Sequence, residues 1–279
     1  MTSFEIILFF GAVFAGVIGA LAGLGGGVLI VPLLTVAFGV DIRYAIGASI
    51  VSVIATSSGA AAAYVRDRIT NMRVGMFLEL ATTTGAIVGA LVAGLVHSTV
   101  LFIVFGVVLA TSALPMVVKL GEELPHGVVP DRWAKRLRLG STYPDAVLGK
   151  AVSYEATKVP MGFVMMMFAG LLSGLLGIGS GAFKVLAMDT AMRLPMKVST
   201  TTSNFMIGVT AAASAGIYFS RGDVNPLIAA PVALGVLLGA SIGSRLLMRM
   251  HNRTLRMLFV PLLLIVALEM ILRGLGVQL

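Results

Sequence analysis

The residue with most chemistry to offer is Lys184, because of its setting. It follows one turn behind the glycine-rich string Gly177-Ile178-Gly179-Ser180-Gly181, within an otherwise apolar run. A cation inside a membrane segment costs at least ~2.5 kcal/mol on insertion scales and is functional by default. A matching string, Gly23-Leu24-Gly25-Gly26-Gly27, stands earlier in the chain, with Ile30 at the lysine's place. Glycine permits positive φ and lets backbone approach a ligand closely. The first N–H groups of a helix carry partial positive charge and can donate to an anion. Gly25, Gly26 and Gly27 opening one helix, Gly179, Ser180 and Gly181 opening another, and one ammonium together describe a receptor for a small anion such as a sulfite or sulfonate group. Helix packing alone would use spaced rather than clustered glycines. Lys184 could instead snorkel or pair with Asp189, but a five-residue spacing does not align two side chains on one helix face.

A polar complement follows each string. Residues 199–204 read STTTSN, so the hydroxyls of Thr200, Thr201, Thr202 and Ser203 and the amide of Asn204 are candidate donors to the anion. The same hydroxyls can satisfy carbonyls or bond between helices, and Asn204, with no polar counterpart in the first half, is the better candidate. Ser49 and the trio Thr56, Ser57 and Ser58 form a weaker set opposite. Glu79 and Glu269 are lone acids within apolar runs; they can carry protons or snorkel to an interface.

The elements that must position these groups come from a duplication. The strings start 154 residues apart, at Gly23 and Gly177, and this offset holds without a gap to His97 and His251. It pairs Ser49 with Ser203, Thr56 with Thr210, Tyr64 with Tyr218, Asn71 with Asn225 and Gly85 with Gly239. Hydrophobic residues make up 58% of the chain, charged residues 11%, and the mean hydropathy is +1.03, values that a water-soluble surface cannot accommodate. The first half offers apolar runs at 4–22, 28–38, 44–65, 74–96 and 99–118, and the second at 159–176, 182–192, 198–219, 226–248 and 254–272. The first run has no charged leader and no clear cleavage site, and reads as retained. Residues 119–157 are too polar to span and contain Asp131–Leu139 (DRWAKRLRL), a short basic amphipathic helix suited to the membrane surface.

Charge orients the halves. If each glycine-hinged pair enters and returns to its own side, sixteen Lys and Arg residues share a side with the linker, and only Arg43, Arg221 and Arg273 lie opposite. Treating each hinged pair as a single span gives twelve against seven. The positive-inside rule selects the first arrangement: inverted repeats, linker in the cytoplasm, N-terminus outside. The net charge of +8 is therefore a topology signal and implies no nucleic-acid partner. The fold expected is an all-α integral membrane protein of two inverted repeats of about five helical segments, each opened by a glycine-hinged helix pair. The first repeat occupies residues 1–118 and the second 158–279.

The strings GLGGGVLIVPLL and YAIGASIVSVIATSSGAAAAYV resemble the first signature of the TauE/SafE sulfite-exporter family, and GLLGIGSGAFKVLAM, KVSTTTSNFMIGVTAAASAG and RGDVNP resemble the second. The resemblance spans Gly16–Val118 and Gly170–Met270 and departs at Ser180, Lys184 and Leu186. It implies a secondary carrier of small sulfur-containing anions such as sulfite, thiosulfate or organosulfonates, multi-pass in the cell (inner) membrane. A passive anion channel shares the same lining chemistry and is the alternative. No Walker string, metal cluster, cofactor motif or paired catalytic group is present, and cysteine is absent, so neither an enzyme nor a cofactor is expected. The partners expected are a small anionic substrate and the lipid bilayer; a homodimer is compatible with the sequence.

Overall fold

In hydrocarbon, each backbone polar group must be bonded within its own segment, so an apolar chain of this composition folds into helices. The computed structural model describes residues 3–22, 26–66, 69–118, 127–145, 150–247 and 252–277. The first half contains α1 (Ser3–Ala22), α2 (Gly27–Pro32), α3 (Ile42–Arg66), α4 (Met72–Leu95) and α5 (Ser98–Val118). The linker holds α6 (Arg132–Leu137) and an antiparallel pair, β1 (Ser141–Asp145) with β2 (Lys150–Tyr154). The second half contains α7 (Val159–Leu176), α8 (Gly181–Leu186), α9 (Met196–Ser220), α10 (Pro226–Leu247) and α11 (Asn252–Gly274). The short helices α2 and α8 each continue as one π turn, Leu33–Ala37 and Ala187–Ala191. These two turns obey the 154-residue offset, and isolated π turns commonly sit at functional positions.

The halves exchange neighbours. The first helix of each packs on the fourth of the other, α1 on α10 and α7 on α4, while α3 meets α9 and α5 meets α11. Small residues make the outer crossings. A Cβ built on Gly170 would stand 2.1 Å from the Thr82 carbonyl oxygen, and one on Gly174 would stand 2.0 Å from that of Ala86. Gly85 and Gly89 meet the α7 backbone as closely, and Gly16 and Gly239 serve the α1–α10 crossing. Backbones in direct contact are the packing solution available where the surrounding solvent is itself apolar.

The outward faces stay apolar: Phe14 on α1 is 67% exposed and Leu80 on α4 65%, and Phe168 and Leu238 are exposed on α7 and α10. Such a belt would be a liability in water and is the natural surface of a protein solvated by lipid tails. Among the described residues, three helices have the length and hydropathy to cross a bilayer: Met72–Leu95, Val159–Leu176 and Pro226–Gly243.

The linker differs in part from the reading of a surface helix. The basic helix is present as α6, with Arg136 6.0 Å from the Trp133 ring, but the hairpin beside it was not foreseen. Asp131 explains the compactness: its Oδ1 accepts from Ala134 N at 2.7 Å, capping α6, and its Oδ2 accepts from Val159 N at 2.8 Å, capping α7. Leu139, Tyr143 and Tyr154 then share an apolar core with Val74 and Leu78 of α4 and Met206 of α9. Burial pushes the Tyr154 phenol up from its ordinary value, and its oxygen accepts from Asn71 Nδ2 at 2.8 Å. The linker segments 119–126 and 146–149 lie outside the described residues.

The two ends of α4 are held by different partners. Its first turn is tied to the linker through Asn71, whose Nδ2 also donates to the Leu139 carbonyl at 2.8 Å. At its other end, Arg221 donates to the Ala90 carbonyl at 2.6 Å and Arg43 to that of Val96 at 3.2 Å.

Candidate functional site

Ser49 on α3 brings the glycine turns together. Its hydroxyl lies 2.8 Å from the Gly177 carbonyl oxygen and 3.2 Å from that of Gly27, reaching one residue from each turn. A Cβ on Gly27 would meet Ser49 Oγ at 2.8 Å and the Gly177 carbonyl at 3.2 Å, so only glycine fits between them. Ser203, the repeat counterpart of Ser49, makes the same bond in its own half, donating to the Gly181 carbonyl at 3.2 Å. The duplication therefore preserved a specific contact as well as a residue type.

Each turn uses its residues for backbone conformation. Gly26 has φ of 74°, Gly177 67° and Gly179 70°, the left-handed region that glycine enters without strain. Gly179 also leaves no room for a side chain, because a Cβ there would stand 2.7 Å from Ile207 Cγ2. Ser180 shares the left-handed conformation, with φ of 45°, and caps α8 by position. Its Oγ is buried and, among the described residues, has no hydrogen-bond partner. A lone buried hydroxyl with unused bonding capacity is uncommon and calls for a partner. Gly25 lies outside the described residues.

Lys184 is fully buried, at 0% exposure. Its Nζ donates to Thr210 Oγ1 on α9 at 2.5 Å, and that hydroxyl lies 2.7 Å from Glu79 Oε1 on α4. Thr83 Oγ1 donates to the same carboxylate oxygen at 3.0 Å. Three helices thus contribute to one chain of contacts: ammonium, hydroxyl, carboxylate. Glu79 is 8% exposed, so the expectation that it snorkels to an interface does not hold. Its second oxygen, Oε2, is buried without a partner among the described residues. The pairing was missed from sequence, yet a signal was there: one lone cation and one lone acid in hydrocarbon each need an opposite charge.

The hydroxyl run on α9 divides. Ser203 faces the second glycine turn, as described. Thr202 Oγ1 instead accepts from Asn71 N at 3.0 Å, which places it at the start of α4. Thr201 is bonded within its own helix, donating to the Lys197 carbonyl at 2.9 Å. Thr201 thus spends its proton within its own helix, whereas Thr202, as an acceptor from Asn71, keeps its own proton to donate. Asn204 is buried, and its carbonyl accepts from Ser57 Oγ at 2.6 Å, joining α9 to α3. Tyr218, at the far end of α9, donates to the Gly174 carbonyl at 2.7 Å and braces α7 just before its glycine turn. Among the described residues, no cluster of His, Asp and Glu could hold a metal ion.

The arrangement offers a buried ammonium, a buried hydroxyl without a partner among the described residues, and two converging backbone breaks. Comparison with known proteins agrees in class. The family model described as "Sulfite exporter TauE/SafE" matches residues 8–270. The chain is similar to "Probable membrane transporter protein YunE" of Bacillus subtilis (strain 168), 28% identical over 98% of each chain. It is also similar to "Probable membrane transporter protein YjnA" of the same organism, 27% identical over 96% of this chain and all of that one. A third relative, "Probable membrane transporter protein ORF9" of Sinorhizobium sp, is 25% identical over 95% of this chain and 90% of its own. No solved structure matches.

Proposed function

Because the chain belongs to the sulfite exporter TauE/SafE family and is similar to proteins named probable membrane transporters, we propose that it is a secondary carrier of a small anion, a sulfur oxyanion or an organosulfonate. The observation that carries this reading is Lys184, an ammonium buried beside the second glycine turn whose hydrogen bond goes to the neutral Thr210 hydroxyl. Burying a cation is costly, and a carrier recovers that cost when an anion arrives. The Ser180 hydroxyl, at the N-cap of α8 and without a partner among the described residues, supplies a further donor. Backbone N–H groups at the Gly26-Gly27 and Ser180-Gly181 breaks complete the receptor, with Ser49 and Ser203 holding the breaks in place.

Inverted repeats suit this role, since two halves that swap neighbours about a shared site can rock to open it to either side in turn. The partner exchange of α1 with α10 and of α7 with α4 supports a two-fold relation. The orientation rests on charge: sixteen Lys and Arg residues share the linker's side and only Arg43, Arg221 and Arg273 the other, which favours a cytoplasmic linker and an outside N-terminus.

The test is binding to purified protein in detergent, with sulfite, thiosulfate and methanesulfonate as probes. The comparison is with Lys184→Met/Glu79→Gln, which removes the cation without leaving its partner as a buried unpaired charge. At least one probe binds the wild type, and the double variant loses at least about tenfold in affinity, a change of ~1.4 kcal/mol. Equal binding by both proteins refutes the lysine assignment.

A further inference from the structure

We propose that Glu79 is the proton-coupling site of this carrier: the incoming anion and the Glu79 carboxylate compete for the Lys184 ammonium, and the carboxylate that loses takes up a proton. The inference rests on the reading of Lys184 as the substrate's charge partner and adds to it the identity of the coupling ion. Three independent features of the molecule support it.

The first is charge. Lys184 reaches Glu79 through Thr210, by contacts of 2.5 Å and 2.7 Å, so the resting site is neutral overall. A monovalent anion brought to the ammonium leaves one uncompensated negative charge in an apolar core. Among the described residues, the helices packed on α4 offer no further cation near its middle to absorb it. Among the helices packed on α4, α7 carries no titratable side chain, and α9 carries only Lys197 and Tyr218, at its two ends. Arg73, on α4 itself, donates to the Arg138 carbonyl of the linker. Lys184 on α8 is the charge that acts on Glu79. A proton delivered from the aqueous phase to the carboxylate restores neutrality, converting ammonium–carboxylate into ammonium–anion plus neutral acid.

The second is hydrogen bonding. Thr210 Oγ1 lies 2.7 Å from Glu79 Oε1 and 2.8 Å from the Met206 carbonyl oxygen, and its single proton can serve only one of them. With Glu79 ionised, the hydroxyl donates to the carboxylate. With Glu79 protonated, the acid donates to Thr210 Oγ1 and the hydroxyl turns to Met206. Both protonation states are thus satisfied by one rotation about a threonine side chain. With the proton on Oε1, Glu79 Oε2, buried and without a partner among the described residues, becomes the carbonyl oxygen of a neutral acid, which is less costly to leave unpaired than a carboxylate oxygen.

The third is the duplication. One repeat length away, Lys184 corresponds to Ile30 and Glu79 to Ala233, both apolar, whereas Thr210 corresponds to Thr56. The hydroxyl is kept at both repeat-related positions, while the two charges, one from each half, meet at only one of them. A purely structural pair of this kind would be replaceable by apolar residues, as Ile30 and Ala233 show at the corresponding positions.

The experiment is infrared difference spectroscopy of the full-length protein in lipid, on adding thiosulfate or methanesulfonate. Methanesulfonate is a monoanion and thiosulfate a dianion near neutral pH, so a new proton cannot reside on either; one proton on Glu79 neutralises the methanesulfonate complex and leaves the thiosulfate complex with a single net negative charge. Wild type gains the carbonyl-stretch band of a protonated carboxylic acid as the anion binds, and Glu79→Gln binds without that band. In parallel, wild-type affinity rises about tenfold per unit fall in pH over the range in which binding takes up one proton, by linkage. Binding to wild type with no acid band, or a band that persists in Glu79→Gln, overturns the inference and leaves the carrier reading standing. Failure of wild type to bind any of sulfite, thiosulfate and methanesulfonate overturns the carrier reading, and this inference falls with it.

Discussion

Replacing Lys184 by Met should cost more than the lost contact, and removing Glu79 as well should return most of that cost. The two bonds in series through Thr210 hold the ammonium within about 5 Å of the carboxylate. At an effective dielectric near 20, opposite unit charges at that separation attract by about 3 kcal/mol. Lys184→Met forfeits this attraction and leaves Glu79 ionised in an apolar core, or protonated at the expense of its hydration. The expected loss is about 3–5 kcal/mol, the range for breaking one side of a buried pair. Glu79→Gln in the same protein removes the orphaned charge and keeps an amide that can bond Thr210 and Thr83, so the double variant should lie within about 1–2 kcal/mol of wild type. The assay is a double-mutant cycle on unfolding in mixed detergent micelles, with ligand absent. A coupling energy of about 2–3 kcal/mol is expected. If the double variant loses the sum of the single losses, the two charges do not act on each other and the three-helix contact chain has no energetic meaning.

Four further outcomes follow from packing, capping and the contact chain at the site. Gly174→Leu forces apart α4 and α7, because even its Cβ would lie 2.0 Å from the Ala86 carbonyl oxygen; a loss of at least ~1–3 kcal/mol is expected from unfolding curves. Gly216→Ala on α9, where no atom lies within 4 Å of the added carbon, should be neutral or gain up to ~1 kcal/mol in the same measurement. Asp131→Ala removes the caps of both α6 and α7 and should cost ~1–2 kcal/mol, with faster proteolytic cleavage of the linker as its local signature. Glu79→Gln removes the group that takes up the proton and should abolish the pH dependence of anion affinity while the protein still folds, read by titration at several pH values.

The helices were legible because each apolar run is bounded by charge or glycine, and the ten runs reappear as helix within a few residues. The duplication was legible for a firmer reason: a gapless offset of 154 residues forces equivalent local geometry, and the structure returns it as paired π turns and as the Ser49–Gly27 and Ser203–Gly181 bonds. The linker hairpin was not legible. Its strands are five residues each, and their pairing depends on Tyr143 and Tyr154 finding α4 and α9, contacts that no local pattern encodes. At the site, sequence identified Lys184 and the glycine turns, since a cation or a clustered glycine string is conspicuous in apolar surroundings. It did not assign Glu79 to Lys184, because their helices lie in different repeats and only the crossing of α4 with α9 brings them together. Nor could it sort the hydroxyls of residues 200–203, whose roles depend on which way each faces around one helix. Thr202 turns to α4, and Ser203 turns to the glycine break.

The measurement closest to the central claim is counterflow in proteoliposomes loaded with unlabelled thiosulfate or sulfite and diluted into trace radiolabelled anion. A carrier built around Lys184 takes up label transiently above equilibrium, saturates with concentration, and loses both properties in Lys184→Met/Glu79→Gln. Uptake without trans-stimulation, or counterflow unchanged in that double variant, would contradict the account.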